Sequence, residues 1–76
     1  MRKDTEARII TAAVVDQNFC SGILGPNRVN IIKRGYLGEK FELSQEDEKM
    51  LSSMGDFEKL SEFANKLIEL CDQNND

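Results

Sequence analysis

Toward the C-terminus, apolar residues recur at three- and four-residue steps: Phe57, Leu60, Phe63, Ala64, Leu67, Ile68 and Cys71. Glu58, Lys59, Glu62, Asn65, Lys66 and Glu69 fill the opposite face, so the period is that of an amphipathic helix. Asp56 stands where an N-cap would open it, and Glu62 and Lys66 are spaced for an i, i+4 ion pair. Upstream, Ser44 precedes Gln45-Glu46-Asp47-Glu48, a hydroxyl cap followed by acidic residues that offset the positive end of a helix. Met50, Leu51 and Met54 form the apolar face of that helix, and Gly55 stops it.

The N-terminal half carries shorter elements. Ile9-Ile10-Thr11-Ala12-Ala13-Val14-Val15 mixes β-branched residues with alanines, so both a strand and a helix are open. The helix is favoured: Asp4 or Thr5 can cap it, Glu6 suits its first turn, and Ile9 and Ala13 share a stripe with Ala12 or Val14. The best strand partner downstream, Arg28 to Lys33, does not alternate and follows Gly25-Pro26. Asp16 then caps a second short helix whose Phe19, Cys20, Ile23 and Leu24 share one face, ended by Gly25. Pro26 fits the first turn of a third, with Val29 and Ile32 inward, Ile31 at the edge, and Gly35 closing it after Lys33 and Arg34. Tyr36 to Leu43 has no helical period and reads as an irregular connection.

The expectation is therefore an all-α fold: one domain over residues 1–76, a bundle of about five short helices with an irregular connection before the last two and a polar tail at 72–76. Its core should be Ile9, Ala13, Phe19, Ile23, Leu24, Val29, Ile32, Leu51, Met54, Leu60, Phe63, Ala64 and Leu67.

Composition narrows the chemistry. With 76 residues there is room for one small core, and without histidine there is no imidazole base or ligand. Glu46, Asp47 and Glu48 are consecutive, so they fan around a helix instead of converging on a metal or substrate. No catalytic residue, cofactor or metal is expected, and the chain is read as no enzyme. A net charge of −4 argues against nucleic acid as a partner. Arg28, Lys33 and Arg34 read as a solvated rim. Cys20 and Cys71 sit in apolar runs and read as buried or half-buried free thiols, which suits the cytoplasm. The longest apolar run, Ala12 to Val15, is too short to span a membrane, so no membrane partner is expected.

In order, Asp16 and Phe19, the pair Ile23-Leu24, Pro26, the run Leu43-Ser44-Gln45-Glu46-Asp47 with Leu51, and Asp56-Phe57-Glu58-Lys59-Leu60 with Ala64 and Leu67 resemble a known pattern. It is that of the small helical leader domains of ribosomally made, modified peptides, in particular the nitrile-hydratase-like leader clan and its stand-alone relatives. The spacing from Phe19 to Pro26 is shorter than in that pattern, and nothing after Leu70 resembles a core peptide. The resemblance implies a non-enzymatic module that docks on another protein, a peptide-modifying enzyme. A similar helical arrangement in the small subunit of ring-opening dioxygenases implies the alternative of an accessory subunit of an oxygenase-type enzyme. The strand reading would give a third, a phage-type α+β inhibitor of a host protein. The expected docking residues are Tyr36, Leu37 and Phe41 in the connection, with Arg34 beside them.

Overall fold

Side-chain capping sets the starts of two helices. The computed structural model describes residues 1–73, and within them the chain forms α1 (Lys3–Val15), α2 (Gln17–Leu24), α3 (Arg28–Arg34), α4 (Gln45–Ser53) and α5 (Leu60–Gln73). The fold is all-α. Asp16 caps α2 as its sequence context predicts, its carboxylate accepting from the amides of Asn18 (2.8 Å) and Phe19 (3.1 Å). Ser44 opens α4 with a reciprocal capping box: the Asp47 amide donates to the Ser44 hydroxyl, and the Ser44 amide to the Asp47 carboxylate. Burial would raise the Asp47 carboxyl, but hydrogen bonds from Ser44 and from the N-terminal ammonium, 3.1 Å away, outweigh it and hold the group below its ordinary value.

Three boundaries differ from expectation. Helix α1 starts at Lys3, with Asp4 inside its first turn and no side-chain cap, because the Glu6 amide already reaches the Arg2 carbonyl (3.0 Å). Pro26 does not open α3. It occupies a turn in which the Arg28 amide donates to the Gly25 carbonyl (3.3 Å), where its fixed φ fits the turn as well as a helix. Asp56 does not cap α5. The Phe57 amide donates to the Leu24 carbonyl (2.9 Å) and the Phe57 ring packs edge-on against Phe63 (5.9 Å between centroids), which pins 56–59 to the end of α2 and delays the helix to Leu60.

The strand reading of Ile9 to Val15, and the α+β alternative that rested on it, is corrected: all seven residues lie in α1. Among the described residues, β pairing is confined to one isolated bridge, Tyr36 with Glu39. Helical winding puts Ile9, Ala12 and Ala13 inward and turns Val14 and Val15 outward. The two alanines let α1 lie close on its neighbours α2 and α5.

Ile9, Ala12, Ala13, Phe19, Ile23, Ile32, Phe41, Leu51, Phe63, Leu67 and Cys71 make one core. Leu24, Val29, Met54 and Leu60 pack around it half-buried, and Ala64 is likewise half-buried. Cys71 is buried and Cys20 half-buried, both free thiols. The 72–76 tail lies mostly outside the described residues; α5 runs as far as Gln73. Lys66 pairs with Glu69 at 3.8 Å, not with Glu62.

Arg28 is the largest departure. Read as part of a solvated rim, it is 3% exposed. Its Nε donates to the Ile23 carbonyl (2.5 Å), its Nη1 to Leu51 (2.6 Å), and its Nη2 to Leu24 (3.4 Å) and Gly55. The guanidinium lies 5.4 Å from the Phe57 ring centroid and 5.3 Å from that of Phe63. One side chain thus bonds carbonyls near the C-terminal ends of both α2 and α4, those of Ile23 and Leu51 above all. Desolvation lowers its pKa, with Asp56 working the other way. Arg28 and Ile32 are one turn apart on the inward stripe of α3, so the fork enters the bundle with the core face.

Candidate functional site

After α3 the chain makes a hairpin of the tightest kind. Gly35 leaves the helix at φ 88°, where a Cβ would fall 2.3 Å from the Glu39 carbonyl oxygen, so only glycine fits. Tyr36 and Glu39 then exchange both backbone hydrogen bonds (2.8 and 3.0 Å). The two residues between them, Leu37 and Gly38, have φ 50° and 82°, the positive pair that a two-residue hairpin of this hand requires. Glycine takes that conformation freely. A leucine pays about 1–2 kcal/mol for it, and among the described residues Leu37 is the one non-glycine with positive φ.

The hairpin faces α1 across a groove. Its floor is aromatic: Tyr36 and Phe41 both pack on Phe19, with ring centroids 5.3 and 6.3 Å away. Desolvation pushes the Tyr36 hydroxyl above its ordinary pKa, and the nearby Asp16 carboxylate adds to the effect. Ala7, Arg8, Thr11, Ala12 and Val15 of α1 form the wall, and Leu37 and Glu39 the opposite side. Arg8 reaches across to Glu39 at 2.8 Å, closing one end with an exposed ion pair. At the mouth stand Val15, 68% exposed, and Leu37, 86% exposed, and Val14, next to Val15 on α1 but outside the groove lining, is also 68% exposed. Among the described residues the other large exposed apolar side chain is Ile68, on α5.

The groove brings together Tyr36, Leu37 and Phe41 of the residues singled out from the sequence. It gives them different parts. Leu37 is free at the tip, Tyr36 is half-buried, and Phe41 is 6% exposed and belongs to the core, so it supports the groove from beneath. Arg34 is exposed at the end of α3 and does not line the groove; the guanidinium at its edge is that of Arg8. The α1 wall went unread in the sequence. Its signal was nonetheless there, since Ile9, Ala12 and Ala13 define the inward stripe and leave Ala7, Thr11, Val14 and Val15 as a weakly polar outer face.

Among the described residues no three histidine, cysteine, aspartate or glutamate side chains converge as a metal site, and no buried polar side-chain atom lacks a partner. Burial and then Glu6 push the Cys71 thiol up to about 11, which leaves it a packing group. No helix among the described residues is long and apolar enough to cross a membrane. Compared with known proteins, the chain matches no family model, no curated protein and no solved structure.

Proposed function

We propose that this chain is a non-enzymatic interaction module, of the kind the leader-domain resemblance implies, that docks on a modifying enzyme in the cytoplasm through the groove between α1 and the Tyr36–Glu39 hairpin. The observation that carries the reading is Leu37. Its side chain is 86% exposed on a residue at φ 50°, so it adds backbone strain and gains no burial. Asparagine or glycine would serve the fold better at that position. A leucine held out there, across the groove from the exposed Val15, is placed to be covered by something else. Free thiols at Cys20 and Cys71 suit a reducing compartment.

Site-specific photocrosslinking in the native host tests this. A crosslinker at Val14, exposed next to the groove residue Val15, should give a discrete product that Leu37→Asn abolishes, while one at Ser61 on the outer face of α5 should not. Identical products from both positions, or a Val14 product that survives Leu37→Asn, would remove the groove from consideration.

A further inference from the structure

The Tyr36–Glu39 hairpin has only one arm. Before Tyr36 the chain is helix α3, and after Glu39 it runs on through Lys40, Phe41, Glu42 and Leu43 to the Ser44 cap of α4. Along that run the side chains alternate as in a strand: Lys40 and Glu42 are exposed, Phe41 is buried and Leu43 half-buried. Among the described residues nothing bonds the backbone N–H or C=O of Lys40, Phe41, Glu42 or Leu43. Arg2, Thr5 and Arg8 of α1 share a cleft with Lys40, Phe41 and Glu42, yet the two arginines bond the Asp4 and Glu39 carboxylates and not this backbone. The run is an unpaired strand edge.

Its polarity is specific. Glu39 turns both backbone groups to Tyr36, and successive residues of an extended chain point theirs to alternate sides, so those of Lys40 and Glu42 face away from Tyr36. The side chains of the same two residues are a cation and an anion, neither in an ion pair among the described residues. They stand one on each side of Phe41, so the run matches its own charge pattern when read in reverse.

We propose that a second copy of this chain completes the edge, the two runs pairing antiparallel about a two-fold axis at Phe41. Lys40 of each copy then lies opposite Glu42 of the other, and because these are the residues whose backbone groups face outward, each such pair exchanges both of its backbone hydrogen bonds. Charge fixes the register. Centring the pair on Lys40 or on Glu42 sets like charges together at the axis, and parallel pairing in register sets Lys40 against Lys40. The proposal goes beyond the docking reading and does not rest on it, since Leu37 takes no part.

Sedimentation equilibrium of the full chain between about 10 μM and about 1 mM should show the mass rising from monomer toward dimer. Over the same range, amide hydrogen exchange should slow at Lys40 and Glu42. Lys40→Glu and Glu42→Lys, both at exposed positions, should each weaken association at least tenfold, because the two-fold axis makes every substitution count twice. The double exchange Lys40→Glu, Glu42→Lys should restore it, and the two single variants mixed together should associate with each other. Leu37→Asn should dimerise like the parent. A chain that stays monomeric to about 1 mM would overturn the proposal. So would a dimer indifferent to the single variants, a double exchange that fails to rescue, or protection that appears only outside Lys40 and Glu42. Loss of the dimer in Leu37→Asn would place the second copy in the groove, and the proposal would fall.

Discussion

Replacing Arg28 with methionine keeps an apolar stem of similar length and removes the guanidinium. The Ile23 and Leu51 carbonyls then lose a charged donor in a buried setting, at about 1–3 kcal/mol each. The Leu24 carbonyl keeps the Phe57 amide, and that of Gly55 lies nearer the surface and can turn to water, so they count for less. The contacts with Phe57 and Phe63 add about 0.5–2 kcal/mol each. Against this, the variant no longer buries a cation that has no carboxylate bonded to it, which returns several kcal/mol. The expected net loss is about 3 kcal/mol, for a chain of 76 residues whose whole stability should be about 4–11 kcal/mol. Urea unfolding followed by far-ultraviolet circular dichroism measures it. Arg28→Lys should recover part of the loss, since one ammonium cannot reach carbonyls at the ends of both α2 and α4. An Arg28→Met variant within about 1 kcal/mol of the parent, with an unchanged urea slope, would refute the view that this side chain ties the helix ends together.

Phe63→Ala should cost about 3–5 kcal/mol because its ring is fully buried, whereas Leu60→Ala, half-buried at the start of α5, should cost clearly less; the same urea titration separates them. Gly35→Ala should destabilise by more than about 2 kcal/mol, since strain at φ 88° is compounded by a clash with the Glu39 carbonyl, and amide hydrogen exchange at Tyr36 and Glu39 should speed up. With its thiol at about 11 against an ordinary 9.0, Cys71 should alkylate at pH 8 about a hundredfold more slowly than an unperturbed thiol, before its burial slows it further. Because the folded pKa is the higher one, the contribution of Cys71 is fully present below pH 9 and is lost between pH 9 and about 11; Cys71→Ala should flatten that alkaline slope.

The helix order was legible because local chemistry decides it. Asp16 and Ser44 cap in the structure as their side chains and neighbours predict, and the three-four period of α5 puts Phe63 and Leu67 in the core. What was not legible depends on distant partners. Arg28 looks like any surface arginine until α2, α4 and the chain at Gly55 bring four carbonyls to one point. Asp56 has a good cap's side chain, yet Phe57 is claimed by Leu24 across the bundle. The groove was half legible. An apolar connection without period marked Tyr36, Leu37 and Phe41, but which of them faces outward is set by packing on Phe19. The weakly polar outer face of α1 could be read from its inward stripe, but that this face meets the hairpin follows only from the fold.

Leu37→Asn puts the central claim to the test most directly, with stability and docking read on the same preparation. If Leu37 is kept for a partner, asparagine relieves the left-handed strain, the urea midpoint stays level or rises by the equivalent of about 0.5–1 kcal/mol, and the Val14 crosslink disappears. A midpoint that falls, with crosslinking reduced only in proportion to the folded fraction, would show that Leu37 serves the fold and that the groove is no docking face.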